Sequence, residues 1–190
     1  MGRIVYIRRT ESGEVKLGAQ IDGELCRFTL GESFFSSLGA LAVGDGLDGG
    51  LLEDIRREDE ARRCMKKALS LLSYADNSKR ALYIKLRRAG YSATSAKTCA
   101  QRCVELGYIR EDEQLLRLVR NEANTSFRGR KRIIAKLASR GYAVGDIEAA
   151  IEALVASGEV DFEANFERLL EKEGGGEEEA HRLRYKYGYK

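Results

Sequence analysis

The sequence predicts a mainly α fold made of tandem three-helix repeats, two complete and a third truncated, behind a small N-terminal β-containing extension. Three observations predict it. Short β-prone runs are confined to residues 3–30, helical periodicity holds from about Leu51 onwards with no proline anywhere in the 190 residues, and the helical part matches itself at a shift of 51 residues.

In the extension, Ile4-Val5-Tyr6-Ile7, Val15-Lys16-Leu17 and Leu25-Cys26-Arg27-Phe28 read as strands. Glu11-Ser12-Gly13-Glu14 and Asp22-Gly23-Glu24 separate them with the Gly-plus-polar composition of hairpin turns. A short helix is expected around Glu32–Leu38, and Gly44, Gly46, Gly49 and Gly50 then punctuate a connector.

The 51-residue shift superposes Lys85-Leu86-x-x-x-Gly90-Tyr91 on Lys136-Leu137-x-x-x-Gly141-Tyr142 without a gap. It also superposes Gly107 on Gly158, Leu82 on Ile133, Ala100 on Ile151 and Cys103 on Leu154. In the first copy Asp76, Asn77 or Ser78 can cap a helix that ends at Gly90, where glycine takes a left-handed C′ conformation. A second helix spans about Thr94–Leu106 and closes at Gly107, and a third begins at Glu111. After Gly174-Gly175-Gly176, Tyr187-Gly188-Tyr189 repeats the Gly-Tyr ending once more. The expected organisation is an extension and connector over 1–50, a first repeat with its leading helix over 51–107, a second over 108–160, and a truncated third over 161–190. Such units bury little alone and are stabilised by stacking on their neighbours.

Charge is balanced overall, with 33 basic and 30 acidic residues, but unevenly placed. From Arg62 to Arg140 the net is +14, and from Gly141 to Glu179 it is −10. A basic middle beside an acidic segment suits a partner with its own charge pattern, such as a nucleoprotein surface. No apolar run reaches the ~18 residues that span a bilayer. The N-terminus has neither the long apolar core nor the small-residue cleavage site of a signal peptide, so a cytoplasmic location is expected. Cys99 and Cys103 stand four apart at apolar helix positions, where reduced Cys behaves as a small hydrophobe.

No enzyme signature stands out, and no cofactor or metal is expected. There is no Gly-x-x-x-x-Gly-Lys-Ser/Thr loop and no Gly-x-Gly-x-x-Gly after a strand. The lone histidine, His181, has no Ser or Cys beside it to form a nucleophile–base pair. Glu111-Asp112-Glu113 starts a helix, where carboxylates favour the positive end of the dipole.

Three stretches together resemble the RecX family. They are Asn77-Ser78-x-x-x-Leu82-x-x-x-Leu86-x-x-x-Gly90-Tyr91, then Leu106-Gly107-Tyr108-Ile109-x-Glu111-Asp112-Glu113, then Arg128-Gly129-Arg130-Lys131-Arg132-Ile133. Asp22-Gly23-Glu24 and Val43-Gly44-Asp45 are similar to the N-terminal extension of some members. The resemblance implies a non-catalytic regulator that binds the RecA recombinase and its filament on DNA, restrains ATP hydrolysis and strand exchange in recombination and repair, and leaves room for weak direct DNA binding. It implies no membrane partner and no small-molecule substrate. The candidate partner- or DNA-binding residues are Lys79, Arg80, Arg87, Arg88, Arg128, Arg130, Lys131 and Arg132, most of them expected to face solvent. The alternative is a direct DNA-binding protein of helix-turn-helix type. Against it, the second helix of the second unit carries Asp146, Glu148 and Glu152 and no base, a poor match to phosphates.

Overall fold

The computed structural model describes residues 2–189. It opens with three antiparallel strands, β1 (Gly2–Arg9), β2 (Glu14–Ile21) and β3 (Glu24–Gly31), followed by α1 (Glu32–Ser37). A two-residue strand that the sequence did not announce, β4 (Gly46–Leu47), lies inside the glycine-rich connector and completes the order β3-β2-β1-β4. Two residues are too few to show an alternation, so only the pairing of Gly2 with Leu47 and Arg3 with Gly46 reveals β4.

The sheet is apolar on one face. Val15, Leu17, Ala19 and Ile21 alternate inward from β2, and Ile4, Phe28, Leu30, Phe35, Leu47, Leu52 and Ile55 fill the same core. Leu52 and Ile55 belong to α2 (Gly49–Tyr74), so this helix begins as part of the extension's core. Further along α2 its carboxylates close one sheet edge. Asp59 Oδ1 accepts the Thr29 amide at 2.7 Å and Glu58 Oε1 accepts the Gly31 amide at 3.3 Å. Asp59 is buried, and Arg63 completes its pairing at 2.8 Å.

The remaining helices are α3 (Lys79–Arg88), α4 (Ala93–Glu105), α5 (Glu111–Asn124), α6 (Arg130–Ser139), α7 (Val144–Ala156), α8 (Phe162–Glu173) and α9 (Glu177–Tyr187). Adding 51 to the bounds of α3 and α4 gives those of α6 and α7 residue for residue. The four glycines that end these helices repeat as well. Gly90 and Gly141 both have φ of +93°, and Gly107 and Gly158 have +72° and +75°. Those values suit glycine, which has no Cβ to clash. Among the described residues no helix is long and apolar enough to cross a membrane.

By contact density the chain divides into two compact units, 2–70 with 86–99 and 71–85 with 100–189. The first holds the sheet, α1 and most of α2. Its Glu60 seats the approach to α4, accepting the Ser92 amide at 2.6 Å and the Ser95 hydroxyl at 2.9 Å. The second holds a core of Leu115, Val119, Ile133, Leu137, Tyr142, Ile147, Ile151, Leu154 and Val160 from α5–α7 and their links. A smaller cluster, Phe166, Leu169 and Leu183, joins α8 to α9.

Candidate partner-binding surface

Six of the candidate residues, Lys79, Arg80, Arg128, Arg130, Lys131 and Arg132, lie around the starts of α3 and α6, where successive repeats meet in the second compact unit, and Arg87 and Arg88 end α3. At α3, Ser78 settles which of the three candidate residues caps. Its Oγ accepts the Ala81 amide at 3.1 Å and donates to the Arg140 carbonyl at 3.0 Å. Asn77 instead ties Leu71 and Ala75 carbonyls, and Asp76 pairs with Arg117. The end of α6 therefore sits on the start of α3. A Cβ at Gly141 would lie 2.8 Å from Ser78 Oγ and 3.2 Å from Arg80 Cβ.

The same seam recurs one unit later. Gly129 occupies the position equivalent to Ser78, and its amide donates to the Tyr187 carbonyl at 2.8 Å while the Lys131 amide donates to Gly188 O at 3.2 Å. The first-turn amides of α6 thus find acceptors in the end of α9. Gly188 has φ of +79°, and a Cβ there would lie 2.8 Å from the Arg132 amide nitrogen.

The tyrosines after Gly90, Gly141 and Gly188 are latches, a role the sequence pattern did not reveal. Tyr91 donates its hydroxyl to Arg63 O at 3.0 Å, Tyr142 to Gln114 Oε1 at 2.9 Å, and Tyr189 to Phe127 O at 3.0 Å. Burial, with Glu111 and Asp76 nearby, pushes the Tyr142 phenol up to about 12. Burial, with Glu163 nearby, does the same for Tyr189, also to about 12. Tyr189 also meets the Phe166 ring edge-on at 5.0 Å.

The eight candidate cations separate into held and open groups. Arg128 is half-buried and, with Lys136, clamps the carboxylate of buried Glu122. Burial raises the Glu122 carboxyl, but hydrogen bonds from Lys136 and Arg128 and the charges behind them outweigh it, so the group stays below its ordinary 4.5. Arg130 pairs with Glu152 and lies over the Phe162 ring at 6.0 Å. Arg132 donates to the Lys186 carbonyl at 3.1 Å, and half-buried Lys79 donates to Gln101. Arg87 is exposed but bonds the Tyr91 carbonyl. Among the described residues Arg80, Arg88 and Lys131 are exposed without an ion pair or hydrogen bond from their side chains. Within the 128–132 run Lys131 and Arg132 are exposed, Arg128 and Arg130 are half-buried and Gly129 is buried. Arg128 serves Glu122, Gly129 is buried in the seam, and Arg130 and Arg132 are engaged by neighbouring groups.

Helix α7, where a helix-turn-helix protein would present bases to DNA, exposes Asp146, Glu148 and Glu152 and has no Lys or Arg. That potential repels phosphates, and the DNA-reading alternative is not favoured. No three His, Cys, Asp or Glu side chains cluster to hold a metal among the described residues.

No family model matches the chain, and no curated protein matches it. A search of solved structures does find a match, the crystal structure of the regulatory protein RecX, with a TM-score of 0.70. The match covers 96% of this chain and 89% of that one. The chain has the RecX fold. Identity over the match is 19%, so the likeness lies in helix order and packing more than in side chains. The RecX fold here accounts for nearly the whole chain, from the N-terminal sheet through the stacked helices to α9.

Proposed function

We propose that the chain is a non-catalytic regulator of a RecA-type recombinase, binding the recombinase and its filament on DNA and lowering its ATPase and strand exchange. The observation that carries this reading is fold similarity to a regulatory protein over 96% of the chain, together with the stacked helical units. Stacked units offer an extended series of charged faces to a repetitive partner such as a filament. The open cations Arg80, Arg88 and Lys131, with Arg87, supply attraction to carboxylates on the recombinase or phosphates on its DNA. Arg132 bonds the Lys186 carbonyl where the end of α9 meets the start of α6, beside Lys131.

The test is the DNA-dependent ATPase rate of RecA with increasing amounts of the full chain. The rate is expected to fall, and a rate unchanged at saturating chain would sink the reading. Reversing Arg80, Arg87, Arg88 and Lys131 to Glu together should shift the inhibitory concentration upwards at least tenfold while circular dichroism stays unchanged. Exposed pairs are individually weak, ~0–1 kcal/mol each, so only the group is expected to register.

A further inference from the structure

The outward face of the N-terminal sheet carries chemistry that neither the core nor the helical seams use. Its arrangement starts from an irregularity in β1. Ile4 pairs with Ala19, but the next paired residue is Tyr6, opposite Gly18, so Val5 is an extra residue in the strand. The bulge reverses the alternation. Ile4 and Ile7 both contribute to the inner core, whereas Tyr6 and Arg8 share the outer face.

Three cross-strand rows follow from the register. The middle row is Tyr6–Gly18–Arg27, flanked by Arg8–Lys16–Thr29 on one side and Arg3–Gln20–Leu25 on the other. The Tyr6 ring lies over Gly18, where a Cβ would overlap its Cδ1, Cε1 and Cζ, and the half-exposed ring keeps its other side outward. Arg3, Arg8 and Arg27 are exposed, and among the described residues Arg8 and Arg27 have no ion pair or hydrogen bond from their side chains. Arg3 uses only Nε, on the Gly44 carbonyl at 2.9 Å. The one carboxylate in these alternating positions, Glu14, is already met by Lys16 at 3.1 Å and Arg62 at 3.7 Å. Leu25 in the Arg3–Gln20–Leu25 row and the bulged Val5 are 49% and 40% exposed.

An aromatic ring over a cross-strand glycine stabilises a sheet, which accounts for Tyr6 over Gly18. It does not account for three arginines gathered around that ring in a segment whose first 61 residues are net acidic. We propose that this face binds single-stranded nucleic acid, with a base stacked on Tyr6 and backbone phosphates taken by Arg3, Arg8 and Arg27. Arg8 stands two residues and Arg3 three residues from Tyr6 along β1, at ~3.4 Å per residue, and Arg27 stands two strands away at ~4.8 Å per strand, so each lies within about 7–10 Å of Tyr6, the scale of successive nucleotides. Guanidinium forks match phosphate oxygens, and a flat ring with sequence-tolerant stacking suits any base. A duplex keeps its bases stacked inside, where a flat sheet cannot reach them. An acidic protein would meet the arginines but would leave the bare ring without a matching surface.

The test uses the full chain without any recombinase, so its outcome is independent of the proposed regulation of RecA. Anisotropy of a fluorescent oligo-dT of about 20 nucleotides reads binding. The Arg8→Glu/Arg27→Glu double variant is expected to bind at least tenfold more weakly. Its log–log salt slope should be shallower by about 1.4, for two lost phosphate contacts. Tyr6→Leu should weaken binding about tenfold with the slope kept, and Tyr6→Phe should bind as the wild type does. Wild-type affinity in the folded double variant and in Tyr6→Leu overturns the proposal. So does equal competition by a duplex of the same length, or binding of polyglutamate in place of oligo-dT. Should these variants not fold, photocrosslinking of the unaltered chain to iodouracil-substituted oligo-dT decides. Adducts on Tyr6 or its sheet neighbours support the proposal, and adducts confined to residues after Gly49 reject it.

Discussion

Gly90 and Gly141 have the same φ and the same place in their repeats, yet they should not tolerate alanine equally. At Gly90 nothing lies within 4 Å of an added Cβ, so Gly90→Ala meets only the backbone cost of a left-handed conformation, about 1–2 kcal/mol. At Gly141 the same cost is joined by contacts at 2.8 Å to Ser78 Oγ, 3.2 Å to Arg80 Cβ and 3.3 Å to the Ala81 amide nitrogen. Relieving such crowding moves the start of α3 away from the end of α6 and adds about 1–3 kcal/mol. Gly141→Ala should therefore lie below Gly90→Ala in stability by about 1–3 kcal/mol, or about 2–12 °C in Tm for a chain this long. Urea titration followed by circular dichroism measures both variants against the parent. Repeating Gly141→Ala in a Ser78→Ala background removes the closest atom, and the penalty should shrink by about 0.5–2 kcal/mol. Equal destabilisation at the two glycines, with no coupling to Ser78, would refute the seam.

Three further outcomes follow from the tyrosine latches and the Glu122 clamp. Tyr142→Phe leaves the buried Gln114 Oε1 without its donor and should cost about 1–3 kcal/mol in urea titration, with the fold unchanged. In a phenolate absorbance titration, Tyr142 and Tyr189 should ionise last, near 12, and Tyr142→Phe should remove one late step. Because the folded value is raised, the stability linked to the protonated phenol is full below the ordinary 10.0 and is lost as pH rises towards 12. Glu122 has the opposite sign. Its lowered folded value supplies stability above the ordinary 4.5 that is lost as pH falls below it, so Glu122→Gln should weaken the fold at neutral pH and flatten its acid-side decline.

The helices were legible because their signals are local. Apolar spacing marks the buried stripe of each helix, glycine marks its end, and two copies of the pattern placed α6 and α7 at the bounds that α3 and α4 imply. β4 was not legible, since a two-residue strand exists only through its partners Gly2 and Arg3. Nor was the fate of the basic run at 128–132. Sequence shows charge but not the buried Glu122 six positions before Arg128, nor the end of α9 returning to Gly129 from more than fifty residues away. Asp59, Gln114 and Asn165 are buried for the same reason, each answering a group on a distant segment. The bulge at Val5 sets which side of the sheet Tyr6 occupies, and a simple alternation read from β1 would have put it with Ile4.

The seams between repeats are written mostly in main-chain atoms. Arg140, Tyr187 and Gly188 take part through their carbonyl oxygens, and Gly129 and Lys131 through their amides. Main-chain groups are the same for every residue type, so such a joint asks little of the side chains around it beyond a glycine where backbones touch. Mutation can then rewrite the helix surfaces almost freely while each turn of the stack keeps its footing on the one before. A lineage built this way drifts out of reach of sequence comparison long before its architecture changes, and its working surfaces are free to take up new partners as it does so.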